Sequence, residues 1–536
     1  MNKPLLALTV AISMALFGAT IASAADVVPV NFDDPGEGYN DTTPVAPVGG
    51  NPGTTRGEQR QIVAQFAADL WGSVLTSNVP VYVGAQFNPL GPNVLGSAGT
   101  TFYVYNFPGA AYPDTIYFSA LADALAGEDL VPGYVDISSQ FSSDFTFYYG
   151  LDDNTPAGQI NFLDVVMHEF GHGLGFANAE NESTGEFAGG LQDIYSVYTY
   201  DNTAGKYWPQ MTVNERKASG INYGNVVFTG ASATAGAALT LDMRNRPEFH
   251  VTAPASIAGT YQYGDATFGP AVTPTNLTGN VVLGTDGVGA SNDGCEPLTN
   301  GGAIAGNIAL LDRGTCAFTI KVHNAQNAGA TGVLIADNVA ANPPPGMSGD
   351  DPAITIASVR ITQALGNSMK AILPGVVSVG FTPANPNGLQ GADDAGRPRL
   401  YMPNPVVGGS SGSHYDTDLA PNALMEPAIN DSLFAAINLD ITPNLLQDTG
   451  WKLNNGNAKI DGCDTGIDIV NDAGIIIGAN VQATSNLCLS RAVKRGDYQG
   501  CMDAYKGRML ASGLITSKQA GKMMACAAQV GKTKKQ

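Results

Sequence analysis

The run His168-Glu169-Phe170-Gly171-His172 constrains this chain more than any other stretch of it. Two histidines four residues apart stand one turn apart on the same face of a helix, so both imidazoles can reach one metal ion. Glu169 sits beside them, where a carboxylate can hold a water against that ion. The residues just ahead, Phe162, Leu163, Val165, Val166 and Met167, are apolar at helical spacing. They predict a buried helix over 161–176. Any fold for this chain has to bury that helix and still aim one side of it at a cleft.

Two imidazoles fall one short of the three protein ligands typical of a catalytic zinc site. The run continues Gly173-Leu174-Gly175-Phe176-Ala177-Asn178. Gly175 permits a sharp turn after the helix and keeps the metzincin spacing, but Asn178 stands where that pattern has its third histidine. A neutral amide oxygen is a poor zinc ligand. The other histidines are His250, His323 and His414, and the first two lie in a separate β-rich stretch, where they read as structural or surface residues. His414 lies in the loop Gly408-Gly-Ser-Ser-Gly-Ser-His414-Tyr415-Asp416. Ala423-Leu424-Met425-Glu426-Pro427 follows, and Met425 is a candidate hydrophobic floor. The competing reading takes an acidic third ligand from a following helix, with Glu180, Glu182, Glu186 and Asp193 as candidates.

Together these segments resemble the leishmanolysin-like branch of the metzincins, in which an insertion separates the zinc-binding helix from a third histidine and a Met turn. The matched residues are His168, Glu169, His172, Gly175, His414 and Met425, and 446–451 resembles the helix that closes this fold. The resemblance spans 57–235 and 386–452, with Tyr415 where the commoner pattern has Trp. It implies one catalytic zinc ion on His168, His172 and His414, with Glu169 as general base. The activity implied is an endopeptidase that hydrolyses protein or peptide substrates through a zinc-activated water. Tyr415 is a candidate oxyanion donor, and Asp164, one turn before His168, a candidate to orient its imidazole. The acidic composition also admits calcium, without any EF-hand loop pattern.

The stretch 236–385 resembles the protease-associated (PA) domain. The matching residues are Cys295-Glu-Pro-Leu, then Gly306-Asn-Ile-Ala-Leu-Leu-Asp312-Arg313-Gly314-Thr-Cys316-Ala-Phe318, then Lys321-Val-His-Asn-Ala-Gln-Asn-Ala-Gly329. The resemblance implies a non-catalytic module that binds substrate or a partner, or covers the cleft. Cys295 and Cys316 are placed to close a short loop. With such a module present, a second reading is a catalytically inactive secreted binding or adhesion protein on a protease scaffold.

Composition sets the remaining bounds. A length of 536 residues allows about two to four domains. The net charge of −21 argues against a nucleic-acid partner. From Cys488 onward ten Lys or Arg face only Asp497 and Asp503, which reads as a solvated basic module. Lys3, the apolar stretch 5–17 and Ala22-Ser23-Ala24 read as a secretory signal peptide, and no other stretch predicts a transmembrane anchor. Six cysteines suit an exported, disulfide-bonded chain. The last four allow three pairings, of which Cys501–Cys526, stapling two helices, is preferred.

The fold class expected is α+β, a metzincin-like catalytic domain in two parts, 56–235 and 386–455, split by a β-rich α/β PA-type insertion at 236–385. A signal peptide (1–24) and an extended lead-in (25–55) precede it, and a small disulfide-stapled helical module (456–536) follows. Helices are expected over 56–75, 320–328 and 361–370, with another starting at Thr442-Pro443. Strands are expected over 79–87, 101–107, 144–149 and 333–336.

Overall fold

The computed structural model describes residues 23–429 and 434–530, so the expected signal peptide lies outside the described residues except for Ser23 and Ala24. The chain is a mixed α/β protein with three disulfides. Its first sheet has four strands in the order Val27–Asn31, Val81–Asn88, Ile137–Ser142, Gly96–Thr100. The first three run parallel and the Gly96–Thr100 edge strand runs antiparallel to its neighbour. The segment 25–55 is therefore not an unpacked lead-in. Its Val27–Asn31 completes the sheet, and Ala25, Val27 and Tyr39 are buried. The apolar alternation there is too short to stand out among the surrounding Gly, Pro and Asp.

Helix Arg56–Val74 begins with a capping box, in which the Thr55 side chain accepts from Glu58 N while the Glu58 side chain accepts from Thr55 N. The motif helix, Phe162–Gly173, begins at Asn161, whose side chain accepts from Leu163 N at 3.0 Å. Every residue of this second helix is buried. Trp71 Nε1 donates to Met167 O at 3.1 Å and locks the two helices together. The expected strand over 101–107 is reduced to Tyr103–Val104, and the strand over 144–149 to Phe147–Tyr148.

The PA-like region forms an eight-stranded sheet in which four consecutive strands, Gly279–Leu283, Ile308–Asp312, Gly332–Ala336 and Ala357–Ile361, are parallel. Alternation at period two feeds two separate cores. Ile308 and Leu310 pack toward helix Gln363–Ile372, while Ala309 and Leu311 pack toward helix Phe318–Asn327. Helix Ala231–Thr240 crosses the expected boundary at 236, yet it is tied to the other body, with Ser232 N and Ala233 N donating to Asp448. The chain enters and leaves the PA-like region at one place, where Met243 bridges Leu389, Arg244 N donates to Gly388 O and Gln390 N donates to Asp242 O.

The C-terminal segment is helical (Ile477–Arg491, Arg495–Ala511, Ser517–Ala527), with a hairpin of Asn457–Ile460 and Cys463–Asp468. It is not separately folded. Val481, Ala483, Tyr498, Met502 and Met523 belong to the same continuous core as Phe66, Leu70 and Val166. The preferred Cys501–Cys526 bridge is also replaced. The disulfides are Cys488–Cys501 and Cys463–Cys526, besides Cys295–Cys316. Consecutive helices bring Cys488 to Cys501 at a Cα separation of 5.8 Å, and the last helix lies on the hairpin, with Cys526 and Cys463 5.3 Å apart. Among the described residues, no helix is long and apolar enough to cross a membrane.

Candidate metal centre

The motif helix ends where Gly175 adopts φ +114°, a conformation that residues with a side chain rarely take. The turn swings the chain back so that the Phe176 carbonyl accepts from His172 Nδ1 at 2.8 Å. His168 Nδ1 donates to Leu424 O at 2.7 Å, beside Met425. His414 Nδ1 donates to Ser410 O at 2.9 Å inside its own Gly/Ser loop. That loop is fixed to the body, since Tyr401 N donates to His414 O, Gly412 N to Tyr401 O and Tyr415 N to Met425 O.

A backbone carbonyl only accepts, so each Nδ1 carries the ring proton and each Nε2 presents a lone pair. The three Nε2 atoms lie 3.0, 3.2 and 3.3 Å from one another. With no proton left to share, three converging lone pairs repel unless a cation sits among them. Zinc–nitrogen bonds of about 2.0–2.1 Å in a tetrahedron give edges of about 3.3 Å, so this donor set fits zinc. Burial reinforces the fit. Desolvation pulls His168 down to about 4 and His414 down to about 3, and holds His172 well below the usual imidazole range. The neutral, ligating form is therefore favoured at every ring.

Glu169 is buried beneath the edge strand Gly96–Thr100, where the Ala98 N–H donates to its carboxylate. Desolvation outweighs that bond and by itself pushes the carboxyl up to about 8, and a cation held by the adjacent imidazoles would lower it again and restore the carboxylate. The carboxylate borders a cleft of about 750 Å³ walled by the edge strand, the 408–410 loop and 426–429, with the three histidines at its base. Met425 lies under the motif helix, so close that a Cβ on Gly171 would meet its Sδ at 2.8 Å. The long Met side chain fills the space that glycine leaves below His172.

The acidic candidates stand elsewhere. Among the described residues, none of Glu180, Glu182, Glu186 and Asp193 joins the histidine cluster. Glu182 accepts from Asn178, and Asp193 accepts from Ala179 N, Ser196 N and Ser196 Oγ. Two secondary candidates are corrected. Tyr415 is fully buried, packs edge-on against Phe176 at 4.7 Å and does not line the cleft. Asp164 accepts from Ala435 N at 2.8 Å, and the carbonyl of Leu424 orients His168 in its place. His250 is bonded to Thr260 and Thr382, and His323 to Asp351.

Asn178 has a structural part that sequence spacing did not reveal. Its Oδ1 accepts from Ser413 Oγ at 3.2 Å and its amide donates to Glu182 at 2.8 Å, so it braces the residue next to His414.

Several known proteins share parts of this chain. Vacuolar-sorting receptor 1 of Pisum sativum is 33% identical over 141 residues, covering 23% of this chain and 21% of that receptor. Vacuolar-sorting receptor 3 of Arabidopsis thaliana is 33% identical over 144 residues, covering 23% and 22%. ER degradation-enhancing alpha-mannosidase-like protein 3 of Homo sapiens is 49% identical over 47 residues, covering 9% and 5%. The chain thus spans about a fifth of the length of the receptors it matches, as their 21% and 22% coverage shows. Among solved structures, BSAP, a zinc aminopeptidase from Bacillus subtilis, is 20% identical with a TM-score of 0.20, covering 29% of this chain and 36% of that one. The aminopeptidase from Aneurinibacillus sp. strain AM-1 is 22% identical with a TM-score of 0.19, covering 27% and 32%. Residues 277–369 match the family model described as PA domain, and the chain carries a PA domain there.

Proposed function

We propose that this chain is a secreted zinc-dependent endopeptidase of the leishmanolysin-like metzincin type, with a PA domain inserted between the two parts of its catalytic unit. The observation that carries the reading is the convergence of three buried imidazole lone pairs beside Glu169 in an open cleft. Zinc bound there supplies a Lewis acid and brings the pKa of a water toward neutrality. Glu169 accepts the proton as the water oxygen adds to the scissile carbonyl carbon. It returns that proton to the amine nitrogen as the carbon–nitrogen bond breaks. The edge strand Gly96–Thr100 pairs on one side with Ile137–Ser142, and its residues line the cleft. An extended peptide can lie along it by strand addition, which suits cleavage within a chain. The test is zinc content together with chelator-sensitive cleavage of casein by wild type and Glu169→Ala. Wild type that holds zinc yet cleaves no better than Glu169→Ala overturns the proposal.

A second reading rests on the PA domain and the vacuolar-sorting receptors, whose name describes sorting by binding. In it the PA domain recognises a protein partner and the histidine site is a relic. The same comparison decides, because a binding protein shows no Glu169-dependent cleavage.

A further inference from the structure

We propose that the PA domain binds a calcium ion between Asp286, Asp293 and Glu296. One carboxylate oxygen of each residue lies within 4.8 Å of the other two. Calcium–oxygen bonds of about 2.3–2.6 Å place opposite ligands roughly 5 Å apart, so one ion spans the set. Asp286 and Asp293 are only 3% and 5% exposed. Asp286 Oδ1 accepts from Val288 N, and Asp293 Oδ1 accepts from Cys295 N. Asp286 Oδ2 is buried and has no hydrogen-bond partner. A buried carboxylate oxygen without a donor is costly unless a cation reaches it.

The nearby ammonium does not fill that role. Lys321 Nζ donates to Asp293 O at 2.6 Å and to Cys295 Sγ at 3.3 Å, and among the described residues it forms no ion pair with any of the three acids. Three carboxylates against one ammonium leave two negative charges, which a single divalent cation neutralises. The donors are all oxygens on an irregular loop, and among the described residues no imidazole or thiolate joins them, which favours calcium over zinc or magnesium. The ion would tie the 286–296 loop to the Cys295–Cys316 disulfide and to helix Phe318–Asn327. The site shares no residue with the histidine cluster and stands or falls independently of it.

The experiment is calorimetric titration of calcium chloride into the full chain, stripped of divalent ions and reloaded with zinc, with magnesium chloride in parallel. The expected result is one calcium site with Kd on the order of 10⁻⁴ M and weaker magnesium binding. Asp286→Asn, of the same size, weakens calcium at least tenfold. Glu296→Gln changes an exposed side chain that the fold does not need, and weakens calcium severalfold. Far-ultraviolet circular dichroism shows that both variants remain folded. Absence of calcium binding up to about 10 mM, or wild-type affinity in both variants, overturns the site.

Discussion

Replacing Gly96 by alanine moves one methyl group into the space of Glu169. A Cβ at that position would lie 2.6 Å from Glu169 Oε1, 2.8 Å from Cγ and 2.9 Å from Cδ. Ordinary contact begins at 3.4 Å, so the carboxylate has to retreat by about 0.8 Å. The strand cannot easily retreat instead, because it is paired in register from Gly96 opposite Phe141 to Thr100 opposite Ile137. Nor is the backbone strained by alanine, since Gly96 is not among the positive-φ glycines. A displacement near 1 Å at a catalytic group costs about 100-fold in rate, or about 2.7 kcal/mol of barrier. Zinc content stays at wild type, because the three atoms nearest the new methyl all belong to Glu169 and none to an imidazole. Gly99→Ala, on the same strand with nothing within 4 Å of its Cβ, supplies the control: it leaves Glu169 unmoved and loses far less activity than Gly96→Ala. The assay is kcat/KM on a fluorogenic peptide with zinc stoichiometry measured on the same samples. Zinc-replete Gly96→Ala with kcat/KM within about threefold of wild type refutes the placement of Glu169 as the base.

Other expectations are read the same way. His414→Ala loses most of its zinc by elemental analysis, whereas normal zinc would return the third ligand to the acidic candidates. Asn178→Ala frees Ser413 and weakens zinc affinity about tenfold in a chelator competition, while activity at saturating zinc stays near wild type; unchanged affinity removes Asn178 from any bracing role. Burial, and then the neighbouring Asp136, raise the Asp123 carboxyl above its ordinary value. The folded state therefore holds a proton that the unfolded chain releases above about pH 4, and this stability is lost as pH rises through the folded pKa. Asp123→Asn, which keeps an acceptor for Leu130 N, raises stability at pH 8 by on the order of 1 kcal/mol and leaves it unchanged at pH 4. Melting curves of the two proteins that stay parallel across that range contradict the assignment.

Legibility in the sequence followed physical cause closely. The motif helix, the helix from Arg56 and the strand ending at Ala336 were visible because each repeats one period long enough to be distinctive. Gly96–Thr100 was not, because Gly-Ser-Ala-Gly-Thr carries no strand pattern; its glycine serves the approach of Glu169 rather than the pleat. Ile137–Ser142 reads Ile-Ser-Ser-Gln-Phe-Ser and hides its alternation behind small polar residues. The disulfides and the docking of the last three helices depend on which helix faces meet, and no local pattern encodes that.

The histidine cluster shows why a ligand 242 residues past His172 can still be found by elimination. Closing so long a loop costs little more entropy than closing a short one, since the cost grows only with the logarithm of length. Geometry is the harder demand. It is met because the inserted PA-bearing region begins and ends at the paired segment around Met243 and Leu389. The body bearing the cluster therefore meets only a short connection, and Leu400, bridged to Tyr415, sets the His414 loop directly after it. Asn178 then completes the arrangement from the other side. A bulkier histidine there would crowd the His414 loop, where Gly412 packs directly against the Asn178 amide, whereas that amide holds the Ser413 hydroxyl and lets the distant loop supply the imidazole. The same reasoning predicts that Asn178→His lowers activity with His414 intact and fails to restore zinc to His414→Ala, because Oδ1 of Asn178 faces Ser413 rather than the cluster. Zinc restored by that double substitution would mean that the two histidine positions are interchangeable and that the split is an accident of sequence.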